Sequence, residues 1–127
     1  MSPIQGERNS FRFRREEHLK GRDEILAVFR RGKRVGCQGA KLFLLENSLP
    51  HNRICFTLSR GFGSAVKRNR ARRLSREAYR LSRPRLLQSG LSEGYDLILL
   101  VYPEENAALS DRISQLKSLF TKAGLLR

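Results

Sequence analysis

Between Ser64 and Tyr79 the chain reads SAVKRNRARRLSREAY, and few folds can accommodate that stretch. From Val66 to Arg80 seven cations stand against one carboxylate, Glu77. Wound at about 100° per residue, the run sorts into two arcs. Ala71, Leu74, Ala78 and Leu81 fall within about 80° of one another and make an apolar stripe. Arg68, Asn69, Arg72, Arg73, Arg76 and Arg80 fall within roughly 140° on the other side. Ser64 stands where an N-cap is wanted. The stretch is therefore predicted to be a helix that rests its apolar stripe on a core and turns its arginines outward. Like charges at i,i+4 repel by roughly a few tenths of a kcal/mol per pair. Arg68, Arg72, Arg76 and Arg80 in series thus cost stability unless an anion meets them. The guanidinium fork, always charged and bidentate, suits phosphate. The bland alternative is a solvated basic face, but Glu77 is the one acidic neighbour in the run and leaves most of the repulsion along it unrelieved.

The remaining charge supports a polyanion. The chain of 127 residues carries a formal net charge of +14. Residues 60–85 contribute +9 and residues 7–34 contribute +5, which leaves the rest neutral. A merely solubilising surface mixes its signs; localised charge on a neutral scaffold is a nucleic-acid footprint. The length fits one domain with a real core. Cys37 and Cys55 lack the spacing of a metal knuckle, and His18 and His51 stand apart from them, so a structural zinc site is not expected. Cys55 lies in an apolar run and reads as a small core residue. Reduced thiols point to the cytoplasm. The N-terminus has no apolar signal core. The longest apolar stretch, Leu97 to Tyr102, is too short to span a bilayer, so no membrane partner is expected.

Along the chain, residues 1–12 read as a flexible polar segment and 13–127 as a single domain. From Asp23 to Arg31, Ile25, Val28 and Phe29 give an i,i+3,i+4 stripe, acids occupy the first turn, and Gly32 follows as a C-terminal glycine. A strand is expected to start near Val35. Lys41–Glu46 and Arg53–Leu58 read as strands joined by a polar hairpin loop. Ser59–Gly63 is a glycine-punctuated turn into the arginine helix, which Pro84 disturbs at its far end. Tyr95–Tyr102 is a continuous apolar run of strand length, stopped by Pro103. Ser110 opens a last helix with Ile113, Leu116, Phe120 and Ala123 on one face and Gly124 at its close. The order αβββαβα implies an α+β sandwich, with helices packed on a central sheet.

Two further groups of residues have more than one reading. Ile25 and Phe29 can be ordinary core of an amphipathic helix. Strand alternation puts Phe43 with Leu45, opposite Leu42 and Leu44, so one face is core and the other can line a cleft. Lys33, Arg34 and Lys41 either extend an electrostatic path or solubilise an edge. Metal-assisted phosphodiester cleavage needs carboxylates converging on divalent ions. Asp23, Glu24, Asp96, Glu104, Glu105 and Asp111 are scattered along the chain, and several are explained by helix dipoles. No catalytic constellation emerges.

The motifs in this order resemble the protein subunit of bacterial ribonuclease P. The family's most specific mark, Arg-Asn-Arg followed by basic residues, is matched by Arg68-Asn69-Arg70 and then Arg72, Arg73 and Arg76. Ser59-Arg60-Gly61-Phe62-Gly63 matches the turn before it, and Arg76-Glu77-Ala78-Tyr79 and Gly94-Tyr95-Asp96 match segments after it. Upstream, Leu19-Lys20 and Val28-Phe29-Arg30-Arg31-Gly32-Lys33-Arg34 fit as well, as does Lys122-Ala123-Gly124-Leu125 near the end. The resemblance covers roughly residues 13–125.

The resemblance implies a mixed sheet with a left-handed βαβ crossover through the arginine helix, of the ribosomal protein S5 domain 2 type. The common handedness rule alone would draw the opposite hand. It implies a subunit of the endonuclease that removes the 5′ leader from precursor tRNA, with catalytic RNA and the leader as partners. Hydrolysis and Mg²⁺ then belong to the RNA. Arg60, Lys67, Arg68, Asn69, Arg70, Arg72, Arg73 and Arg76 would contact the catalytic RNA. Phe29, Ile25, Phe43, Lys33 and Arg34 would line the cleft for the leader. Ile25 stands where many members carry an aromatic ring, which leaves one stacking surface fewer. No protein catalytic residue, protein metal site or protein partner is implied. A ribosomal-type RNA-binding protein and a free-standing protein nuclease are the competing readings.

Overall fold

The computed structural model describes residues 15–82, 94–104 and 107–125. Residues 1–12, Pro84 and Glu105, about which the sequence raises expectations, lie outside them. A short 3₁₀ turn, Arg15–Glu17, leads to helix α1, Arg22–Arg31. Strands β1, Lys33–Cys37, β2, Ala40–Glu46, and β3, Arg53–Leu58, follow, then helix α2, Ala65–Ser82, strand β4, Tyr95–Val101, and helix α3, Leu109–Lys122. The strands lie in the order β1-β2-β4-β3. β2 is antiparallel to both β1 and β4, while β3 runs parallel to β4. The β3–α2–β4 connection is thus a crossover between neighbouring parallel strands, and the fold is α+β with a mixed sheet.

Period-2 alternation divides the core between the two faces of this sheet. Leu42, Leu44, Ile54, Leu97, Leu99 and Val101 face α2 and α3, where they pack with Tyr79, Leu116, Leu119 and Phe120. Phe43 and Ile98 face the other way and pack with Leu19 and Val28, Ile25 and Phe29 joining from α1. β4 is central and covered on both sides, which is why its sequence is apolar without a break from Leu97 to Val101. Three layers result, with α1 alone on one face and two long helices on the other.

The helix ends refine the sequence reading. Gly32 closes α1, but its φ of −74° is ordinary. Glycine is needed there because a Cβ would run into the Val28 and Leu44 carbonyl oxygens. Gly124, with φ 76°, is the left-handed residue that ends α3, and the Leu125 N–H donates to the Phe120 carbonyl at 2.8 Å in a Schellman arrangement. α3 starts one residue before Ser110, with Ala108 as its N-cap. The Asp111 carboxylate, rather than the Ser110 hydroxyl, does the capping, accepting from the Ala108 N–H at 2.8 Å. At α2 the Ser64 hydroxyl accepts from the Lys67 N–H at 3.3 Å.

Candidate nucleic-acid interface

α2 is helical and amphipathic, but its buried arc is turned from the expected one. Ala71, Ser75, Ala78, Tyr79 and Ser82 are the buried positions, whereas Leu81 is 43% exposed. Tyr79 causes the rotation. Its ring packs edge-on against Phe56 of β3 and Phe120 of α3, centroids 6.0 and 6.4 Å away. That contact draws the Arg68–Arg72 border toward the sheet and lifts Leu74 and Leu81 toward solvent. Ser75 fits the tight interface by returning its hydroxyl to the Ala71 carbonyl at 2.8 Å.

The rotation leaves the cations outward. Asn69, Arg72, Arg73 and Arg76 are exposed, as are Arg60 and Lys67, and Arg68 is half-buried. Among the described residues Arg68, Arg72, Arg73 and Arg76 form no ion pair; in α2 only Arg80 does, with Glu77 three residues before it. That pairing holds the Glu77 carboxyl below its usual range. Arg70 departs from the group. It lies on the opposite flank of α2 and donates to the Ala107 carbonyl at 3.1 Å. The two arginines of Arg-Asn-Arg therefore serve different sides of one helix.

At the outer edge of β3 a small hollow joins the arginine flank to the other face of the sheet. Arg72 and Arg76 meet His18 and Lys20 there, above Ile54, Cys55 and Phe56. His18 reaches this place because it bridges to Ile54, and the Leu19 N–H donates to the Ile54 carbonyl at 2.9 Å. Burial lowers the His18 pKa; Lys20 and Arg76 lower it further, and Glu17 opposes them. Helical periodicity offers no pointer to His18 or Lys20. Their one local signal is Leu19, a lone apolar residue in a polar stretch.

On the α1 face the structure brings Ile25, Phe29, Phe43 and Arg34 together. The Phe29 and Phe43 rings meet edge-on at 4.9 Å, and the Arg34 guanidinium lies 5.9 Å from the Phe43 centroid. Phe43 is only 7% exposed, so it backs the half-buried Phe29 instead of offering an open ring of its own. Lys33 does not join them. It shares the parity of Val35 and Cys37, which pack toward α2 and α3, so its Cβ leaves the opposite face of the sheet. Lys41 has the parity of Phe43 and adds a cation beside it.

A buried-edge latch fixes α1 over this floor. Arg53 of β3 grips Asp96 with two donors, at 2.8 and 2.7 Å, and also reaches Glu24 of α1 at 2.6 Å. Bonding to Asp96 raises the Arg53 pKa above its ordinary value. Asn47 adds a third donor to Asp96 at 2.9 Å. Two more carboxylates are turned to structural use: Asp111 caps α3, and Glu104 pairs with Arg112 at 3.0 Å. Among the described residues no three His, Cys, Asp or Glu side chains gather where a metal ion could be held. Both cysteines are free thiols, and burial raises the Cys55 pKa. No helix among the described residues is long and apolar enough to cross a membrane.

This fold and charge distribution have known counterparts. The family model for Ribonuclease P matches residues 13–124. The ribonuclease P protein component of Natranaerobius thermophilus is 45% identical over 82 residues, 65% of this chain and 67% of that protein. The same component from Clostridium botulinum is 32% identical over 112 residues, 87% of this chain and 97% of that one. Among solved structures, the Staphylococcus aureus RNase P protein superposes with a TM-score of 0.73 at 18% identity, covering 87% of this chain and 98% of that one. The Thermotoga maritima protein gives 0.71 at 22% identity, covering 84% and 96%. At those identities the superpositions speak for the fold, whereas the match along nearly the whole sequence speaks for descent: this chain belongs to the ribonuclease P protein family.

Proposed function

We propose that the arginine flank of α2 docks the catalytic RNA of ribonuclease P while the floor beneath α1 holds the single-stranded 5′ leader of precursor tRNA. Family membership places the chain in tRNA processing as a protein component of that complex. One observation carries the docking half: Arg68, Arg72, Arg73 and Arg76 lie exposed or half-exposed along α2 and form no ion pair among the described residues. Guanidinium groups so arranged repel one another until phosphates come between them. The leader half is supported by Phe29, whose half-buried ring is braced by Phe43 and flanked by Arg34 and Lys41. The His18–Lys20–Arg72–Arg76 hollow lies at the sheet edge between the two faces and provides a cationic path from one to the other.

In this reading hydrolysis belongs to the RNA with its Mg²⁺. The protein's part is to bind, orient and screen: its cations lower phosphate repulsion between enzyme RNA and substrate, so less Mg²⁺ is needed. The test is cleavage of precursor tRNA at low Mg²⁺ by purified protein, with and without the catalytic RNA. Stimulation only when both are present is expected. Cleavage by protein alone would make the chain a nuclease in its own right. Tight binding to ribosomal RNA without any effect on cleavage would make it a ribosomal-type binding protein.

A further inference from the structure

Arg70, turned away from the other arginines, borders a cleft of about 690 Å³ between the first turns of α2, the Gly61–Phe62 turn and the chain entering α3. That volume is in the range of small-ligand sites. Phe62, Leu74 and Pro103 provide apolar wall. Lys67, Arg70 and Arg112 provide three cations there, and Glu104 is the one carboxylate among the described lining residues.

Arg112 is the unusual member. It is 3% exposed, and a buried guanidinium is costly unless its donors and charge are met. Its Nη1 donates to Glu104 at 3.0 Å and to Gln115 at 2.8 Å, but its Nε has no partner among the described residues. Burial lowers its pKa, Glu104 and Asp111 oppose the shift, and the positive charge of Arg70 adds to it. Arg70 and Arg112 thus repel each other at a cleft that one carboxylate leaves positive.

We propose that this cleft takes one unstacked nucleotide of the catalytic RNA, with its phosphate among Lys67, Arg70 and Arg112 and its base against Phe62, Leu74 and Pro103. A phosphate supplies the negative charge the cleft lacks. The apolar wall gives the base a surface that an inorganic ion would leave unused. Two residues apart on a helix, Arg68 and Arg70 point about 160° away from each other. The RNA would then hold α2 from both sides, with a phosphate chain on one flank and a splayed nucleotide on the other. The proposal rests on the docking role assigned above to the arginine flank.

Two experiments on the full chain test it. In the first, the isotopically labelled protein is titrated with AMP, adenosine and inorganic phosphate, and the Arg112 Nε–H and Ala107 amide resonances are followed. AMP should shift both and saturate at roughly tenfold lower concentration than phosphate, the base adding stacking to the ionic contact, and catalytic RNA should displace it. Equal saturation by phosphate would overturn the nucleotide assignment. AMP binding indifferent to the RNA would give the cleft to a free nucleotide and overturn the RNA assignment. In the second, Leu74→Glu puts a carboxylate into the cleft without touching the Arg68 flank. It should weaken binding of the catalytic RNA about tenfold and reduce the salt slope by about one. Wild-type affinity in a natively folded Leu74→Glu protein, beside lost affinity in Arg68→Glu, would overturn the cleft proposal alone. Wild-type affinity in Arg68→Glu would instead overturn the docking role beneath it. If Leu74→Glu does not fold, the titrations on the unaltered chain decide.

Discussion

Phe29 and Phe43 show what residue-level reading can and cannot reach. Strand parity alone separates Phe43 and Leu45 from Leu42 and Leu44, and the two clusters follow that division. It does not say which ring stays open, because that depends on Phe29 and Arg34 covering Phe43 from two other elements. Base–aromatic stacking is worth about 1–3 kcal/mol per base. Phe29→Ala should therefore weaken binding of precursor tRNA by the assembled enzyme while leaving mature tRNA nearly unchanged. Equal loss for both substrates, in a binding titration, would remove Phe29 from the leader site. His18 gives a second residue-scale expectation. Burial, then Lys20 and Arg76, make its folded form harder to protonate than the unfolded chain. Stability from this group is complete above about pH 7 and declines as pH falls through the ordinary histidine range toward about 5. His18→Gln should show a smaller fall in Tm between those pH values; an unchanged fall would locate the acid sensitivity elsewhere. No sequence pattern announces the placement of His18, since it depends on pairing with Ile54, 36 positions away in the chain.

At the scale of elements, α2 was legible as an amphipathic basic helix, and its exact orientation was not. Projection onto a wheel treats Leu74 and Leu81 as better core than Ser75 and Tyr79. Packing chooses otherwise because the sheet and α3 offer Phe56 and Phe120 to an aromatic ring. Tyr79→Ala should accordingly cost about 3 kcal/mol or more, whereas Leu81→Lys should stay within about 0.5 kcal/mol of wild type. Chemical denaturation measures both, and the reverse ranking would mean α2 sits as the wheel suggests. Charge reversal on the outward flank should leave stability unchanged or slightly raised, by about a few tenths of a kcal/mol per relieved i,i+4 pair, and affect assembly. Arg68→Glu or Arg72→Glu should weaken the complex with catalytic RNA by roughly 1.5–3 kcal/mol, the worth of a charge-assisted hydrogen bond. The loss should be the same for every leader sequence. Lys33 illustrates the opposite limit: adjacency to Arg34 suggests a shared role, yet neighbours along a strand face away from each other.

For the whole molecule, charge distribution was readable from the start and topology only in part. Element order and the α+β class follow from periodicity and turn chemistry. The sheet order β1-β2-β4-β3 does not, because inserting β4 between two earlier strands is a long-range choice that no local pattern encodes. The concentration of +14 formal charge makes assembly salt-dependent. If about five phosphates are neutralised, log K against log[salt] should have a slope near −3.5 to −4.5, between the single-strand and duplex coefficients. A slope near zero would mean that the basic flank contributes nothing to assembly. The single sheet has a practical corollary. Along β4 the odd-numbered residues from Tyr95 to Val101 serve the two long helices, and Ile98 and Leu100 serve α1. Parity thus draws a dividing line through every strand, and a chimera can exchange α1 with its matching side chains from a relative while the opposite surface keeps its own.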